Sequence, residues 1–218
     1  MITTRLIPAL SLTGLVLWQL GGLVSQLQEL NAHPGWLVLG VCLRSVLYAL
    51  FLCFPIAAFL THEPPHSRDS RLLVTSAAVA ATFLLTGLDL LAPSGPELWR
   101  SSPTVVAIAL ALTLIGVSMA VAGAHSLGAS FSFGPQCRAL VVRGPYRLVR
   151  HPIYLAETAM IVGVTVVDPR LVPLLGALVV IVLQVVRIHA EERLLRSTFP
   201  GFSSYAAVTR SRLVPLVW

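Results

Sequence analysis

The chain contains no lysine; all 15 of its basic residues are arginine. Charge of either sign is scarce, at 11% of 218 residues, and aromatic residues reach only 7%. A soluble domain carries about 25% charged residues, so this chain lacks the groups to cover a water-facing surface. The three cysteines, Cys42, Cys53 and Cys137, show no metal-ligand spacing and are too few for a disulfide scaffold. What fills the chain is apolar: 56% hydrophobic residues, with a mean hydropathy of +0.84. That balance excludes a disordered chain and an ordinary cytosolic enzyme, and it leaves an integral membrane protein. The net charge of +6 does not point to nucleic acid, because the arginines fall between apolar runs rather than along one amphipathic face.

A bilayer crossing needs about 20 apolar residues. Leu6 to Leu27, Trp36 to Leu60, Leu72 to Ala92 and Thr104 to Ala124 each supply that length. The first run lacks a small-residue cleavage site and reads as a retained span rather than a signal. Two shorter runs, Ile153 to Val167 and Leu171 to Val186, flank Asp168-Pro169-Arg170 and read as a helical hairpin. The expected fold is all-α: a polytopic integral membrane helical bundle of about four full spans plus a C-terminal hairpin. It forms a single membrane domain over 1–218, with the N-terminal spans in 1–124 and a polar-ended core in 125–218. With the N-terminus inside, twelve arginines face the cytoplasm (5, 68, 71, 138, 143, 147, 150, 187, 193, 196, 210 and 212). Arg100 and Arg170 alone fall outside, while Arg44 lies within a span. The positive-inside rule therefore puts both termini on the cytoplasmic side of the cell (inner) membrane.

Arg44, Asp89 and Glu157 interrupt apolar runs, where charge is costly and faces a partner or a cavity. Arg44 and Asp89 fall at similar depth, which suits a structural pair or a role in substrate passage. Glu157 follows the segment Gly144-Pro145-Tyr146-Arg147-Leu148-Val149-Arg150-His151-Pro152-Ile153-Tyr154. Gly144-Pro145 makes a turn. Pro152 pushes His151 out of helical geometry and suits the first position of a new helix. A helix start beside Arg147, Arg150 and His151 can hold an anion, and Tyr146 and Tyr154 bring aromatic faces that stack or accept a cation. The same residues also suit a plain cluster at the point where the chain enters the membrane. Further on, Arg187 and Glu191 share a helix face four residues apart. They are either a surface ion pair or a place for an anionic group and for hydroxyl or ammonium donors. Phe199 to Tyr205, then Arg210 and Arg212, read as a turn and an interfacial segment under the bundle. None of His33, His62, His66 and His125 shows metal-ligand spacing, so no metal is expected.

Three ordered patterns in this third of the chain, from Leu140 to Pro215, carry a resemblance. They are L-V-x-x-G-P-Y-R-x-V-R-H-P-x-Y, then R-x-x-x-E-E-x-x-L-x-x-x-F-x-x-x-x-x-Y, then R-L-V-P. Here the chain resembles the isoprenylcysteine carboxyl methyltransferase family, itself similar to the membrane phospholipid methyltransferases. The resemblance implies S-adenosylmethionine bound at the cytoplasmic end of a helical bundle. It implies cofactor contacts from Leu140, Val141, Tyr146, His151, Pro152, Ile153, Tyr154 and Glu191. It implies that Arg187 orients the acceptor; Glu157, as a charge near the cytoplasmic face, is a second candidate for binding the substrate. Arg138 stands where family members often have histidine, and Phe131 to Cys137 has no match. The implied acceptor is lipophilic (a prenylated substrate, a lipid or a small molecule), and a carboxylate fits Arg187. The protein then has to align the acceptor and exclude water.

Two other readings compete. Tyr154 and Glu157 also fit the x-P-x-Y-x-x-E pattern of steroid 5α-reductase or sterol reductase enzymes, which use NADPH. Glu191-Glu192 and the F-x-x-x-x-x-Y spacing favour the methyltransferase. A small transporter or scaffold is supported only by the intramembrane charges.

Overall fold

The computed structural model describes residues 3–32, 35, 67–68, 98, 102–128, 136–137, 139–167 and 169–215, with scattered positions between 38 and 56. It is helical apart from one short antiparallel pair, β1 (Ser67–Arg68) on β2 (Gln136–Cys137). The helices are α1 (Thr3–Ala32), α2 (Pro103–Leu127), α3 (Pro152–Val167), α4 (Leu171–Thr198) and α5 (Phe202–Val208). A hydrogen bond from Ser45 Oγ to Gln26 Oε1 at 3.0 Å ties α1 to the helical residues that follow it.

The start of α2 is set locally. Ser102 accepts a bond from Val105 N at 3.3 Å and Pro103 takes the first helical position. Gly128, with φ of +54°, ends the helix. Its faces are inverted relative to a water-soluble helix. The buried side carries Ala109, Thr113, Gly116, Ala120 and Gly123, while Ile108, Leu114 and Ile115 point outward. Large side chains outside and small ones at the contact are what lipid as solvent selects, since close backbone approach replaces hydrophobic collapse.

α3 packs antiparallel along that small face. A Cβ at Gly163 would stand 2.9 Å from Ala109 O, one at Gly116 2.9 Å from Ala156 O, and one at Gly123 3.0 Å from Ile153. These contacts run the length of α3, so side-chain volume at any of them would force the helices apart. α4 repeats the inverted pattern: Gly176, Ala177 and Val180 are buried, while Leu175, Leu178 and Val182 are exposed.

Where a C-terminal hairpin is expected the chain forms α3 and α4, and α4 does not stop at Val186. It runs 28 residues without a break. At 1.5 Å per residue this is about 42 Å, against a hydrocarbon core of about 30 Å. The polar last third, from Arg187, therefore continues beyond the apolar part. Among the described residues two helices, α2 and α4, are long and apolar enough to cross a bilayer; α3 is shorter. The apolar run at 6–27 lies within α1, and that at 36–60 is described only in pieces. The run at 72–92, and both Arg44 and Asp89, lie outside the described residues.

Candidate functional site

The site is assembled where α3 begins and α4 loses its apolar character. Gly144 opens a short 3₁₀ turn (Gly144–Arg147) with φ of +60°. A side chain there would collide with Ser126 Oγ, so only glycine lets the turn lie on the end of α2. Arg143 Nε adds a bond to Ser126 O at 3.4 Å. The turn buries Tyr146, whose carbonyl accepts a 2.7 Å bond from the Tyr205 hydroxyl on α5. Arg150 and His151 then stand outside any helix, directly before α3 starts at Pro152. Their N–H groups donate to Ser211 O and Arg212 O, each at 2.9 Å, so the C-terminal tail pairs with them.

Two polar networks flank this point. In the outer one, Arg150 Nε donates to Glu192 Oε1 at 2.6 Å, and Arg212 Nε donates to Glu192 Oε2 at 3.2 Å. Arg150 also bonds Thr209 O and Arg210 O at 2.7 Å each. Burial opposes the charge on Glu192, but the neighbouring His151 and Arg150 outweigh it and hold the carboxyl down at about 2. Arg196 sits farther off at 3.9 Å and is exposed.

In the inner network, Arg187 lies 4.7 Å above the Tyr154 ring, a cation–π contact. Its Nη1 is 3.8 Å from Glu157 Oε2. Gln184 Nε2 donates to the same Glu157 oxygen at 3.0 Å, and its Oε1 accepts from Thr158 Oγ1 at 2.7 Å. Arg187 and Gln184 are 3% and 1% exposed, so these are buried polar contacts.

His151 lies between the networks. Its Nδ1 is 3.8 Å from Glu191 Oε2 and its Nε2 3.5 Å from Glu192 Oε1, without an aligned hydrogen bond at Nε2. Its ring stands 5.6 Å from that of Tyr154. Glu191 is 29% exposed in its side chain and lies close enough to the Tyr146 and Tyr154 phenols to act on both. Burial, with Glu191 nearby, keeps the Tyr146 phenol un-ionised far above its ordinary range.

The structure thus brings Tyr146, His151, Tyr154, Glu157, Arg187 and Glu191 together. It places the other candidates elsewhere. Pro152 and Ile153 pack on Gly123 of α2, Leu140 is half-buried beside Gly201, and Val141 is half-buried with no described contact to the cluster. His189 is exposed and bonds Val185 O of its own helix. Of the stretch 131–138, where the sequence found no match, only Gln136 and Cys137 are described. Gln184, Thr158 and Arg150–Glu192 were not singled out as a set from sequence. Gln184 had a usable signal, being an amide alone in the apolar run 171–186. An open apolar groove of about 530 Å³ lies between the Leu114–Met119 face of α2 and the Gly144–Leu148 turn. None of the clustered polar residues lines it. Among the described residues no group of three His, Cys, Asp or Glu side chains is placed to hold a metal.

Residues 104–201 match the model of a family described as phospholipid methyltransferase. That segment contains α2, α3, α4 and all six clustered residues. The chain is 33% identical over 132 residues to the cobalt-zinc-cadmium resistance protein CzcN of Cupriavidus metallidurans, covering 60% of this chain and 58% of that protein. It is 31% identical over 106 residues to the nickel-cobalt-cadmium resistance protein NccN of Alcaligenes xylosoxydans xylosoxydans, covering 48% and 49%. The chain therefore spans about half the length of the curated relatives it matches. The segment that carries the cluster is thus similar to the phospholipid methyltransferase family, and two of the described helices are long and apolar enough to cross a bilayer.

Proposed function

We propose that this protein is an S-adenosylmethionine-dependent methyltransferase acting on a lipophilic acceptor at the cytoplasmic face of the cell membrane. The carrying observation is the convergence of Tyr146, His151, Tyr154 and Glu191 at the head of α3. These residues suit the cofactor. Two aromatic rings can cover an adenine, and Glu191, half-buried with a long contact to His151, retains capacity for ribose hydroxyls or an ammonium. The buried His151 Nε2, without an aligned partner, offers one more polar contact.

When bound, the cofactor supplies a methyl group already activated on a sulfonium. The chain's own residues then have to position and to exclude water. Arg187, fixed over Tyr154 and braced by Glu157, is a pre-set cation for orienting the acceptor. The close α2–α3 contact seals one side, and the tail paired to Arg150 and His151 closes the aqueous end. A lipophilic tail reaches the site laterally from the bilayer. A carboxylate acceptor of the isoprenylcysteine kind, which the resemblance implies, would have to share Arg187 with Glu157.

Calorimetric titration of the purified protein with S-adenosylhomocysteine and with NADPH tests the reading. We expect binding of the first and not the second. Glu191→Ala should weaken S-adenosylhomocysteine by about tenfold or more, the scale of a lost charge-assisted hydrogen bond. Tight NADPH binding would instead establish the reductase alternative.

A further inference from the structure

We propose that Glu157 is the group that takes the proton from an uncharged, protic, lipophilic acceptor, and that Gln184 is the positioning residue that aims it. This rests on the methyltransferase reading and names the acceptor class for that same site. Such an acceptor is a hydroxyl, thiol or neutral amine rather than a carboxylate.

The first support is charge balance. Arg187 is one buried cation, and Glu157 stands 3.8 Å from it with Glu191 also acting on it. The charged groups facing Glu157 are Arg187 and Glu191, both from α4, with Tyr154 on its own helix. A second carboxylate on Arg187 would set it beside Glu157 in a medium of low dielectric, where like charges repel strongly. An uncharged acceptor adds no such conflict.

The second support is which oxygen is left open. Both described contacts to Glu157, from Gln184 Nε2 and Arg187 Nη1, fall on Oε2. Neither uses Oε1, and the side chain keeps 20% exposure. One oxygen is thus held while the other keeps its lone pairs uncommitted among the described contacts.

The third support is the relay behind it. The Thr158 hydroxyl lies 2.7 Å from Gln184 Oε1 and 2.8 Å from Tyr154 O. A hydroxyl has one hydrogen, so it serves one of these at a time. With Glu157 ionised, the Gln184 amide donates to it and Thr158 donates to Gln184. With Glu157 protonated on Oε1, Oε2 still accepts from the Gln184 amide and Thr158 still donates to Gln184. The Gln184 and Thr158 bonds are the same in both states, so a proton can come and go at Oε1 without stranding either side chain.

The step balances. The acceptor's X–H bond breaks and its proton moves to Glu157. The X lone pair forms the bond to the methyl carbon, and the carbon–sulfur electrons remain on sulfur as the sulfonium becomes a neutral thioether. The proton leaves Glu157 after the product departs.

The test uses the full chain in lipid nanodiscs, saturated with S-adenosylhomocysteine for binding or S-adenosylmethionine for turnover. The probes are 1-dodecanethiol and dodecanoate. We expect the thiol to bind at least tenfold more tightly than the carboxylate. Glu157→Gln should invert that order, because Arg187 then lacks its matching carboxylate, and should lower any thiol turnover by about 100-fold. Gln184→Leu should lower kcat with KM little changed and displace the pH midpoint of turnover by about one unit, whereas Gln184→Glu, still able to donate when protonated, should restore part of the rate at low pH. Tighter binding of dodecanoate by the unaltered protein, or an unchanged order in Glu157→Gln, overturns the inference. Loss of S-adenosylhomocysteine binding by the unaltered protein would instead sink the methyltransferase reading beneath it.

Discussion

Glu192 and Glu157 stand on adjoining helices within one site, and the chain treats them in opposite ways. Glu192 spends both oxygens: Oε1 on Arg150, Oε2 on Arg212, with Arg196 beyond. Glu157 spends only Oε2, on an amide and one distant guanidinium. A carboxylate saturated by fixed cations is a clamp, held ionised and unavailable. One with an uncommitted oxygen and an amide behind it is the group we propose takes the proton. The difference separates what holds the tail over the site from what works within it.

The largest effect on this contrast should come from breaking the clamp. Arg150→Ala removes the 2.6 Å bond to Glu192 and both tail carbonyl contacts, leaving a buried carboxylate short of a partner. We expect a loss of about 3 kcal/mol, read as a lowered thermal midpoint in detergent, and faster proteolysis after residue 208.

Acid should act on the clamp next. The Glu192 carboxyl is depressed from 4.5 to about 2 in the folded chain. A depressed value means the unfolded state binds the proton first, so this stability is fully present above about pH 4.5 and is lost as pH falls toward 2. Denaturant melts across that window should show stability falling with pH, and Glu192→Gln should flatten the slope.

Third comes the packing that carries both carboxylates. Gly163→Val places methyl groups where a Cβ already stands 2.9 Å from Ala109 O. Overpacking of this kind costs about 2 kcal/mol, and the measured cost should appear without any change in the acid slope. The smallest effect is expected from Arg196→Ala, since that pair is exposed on the cation and 3.9 Å long. A change above about 0.5 kcal/mol would mean the clamp extends further than the short contacts show.

Much of this site was legible because its signals are local. Gly144, Pro145 and Pro152 dictate backbone geometry wherever they occur, so the turn and the start of α3 follow from the letters alone. The Arg187–Glu191 spacing put both on one helix face, and α4 indeed carries them without a break. Glu157 was visible as a charge in an apolar run, but its partners were not. Gln184 is 27 residues away and meets it only because α3 and α4 pack against each other. Arg150 and Thr209 are 59 residues apart, and no pattern links them.

By itself the sequence determined the solvent of this protein, through its missing lysines, sparse charge and bilayer-length runs. It also determined the places where polar groups had to be answered, because a charge or an amide in an apolar run demands a partner. Which partner answers was decided only by the tertiary structure. Packing of α3 on α4 sets distant residues at matching depth, while glycine lets α2 and α3 approach closely on the other side. Composition names the demand for pairing; three-dimensional packing chooses between a clamp and a reactive carboxylate.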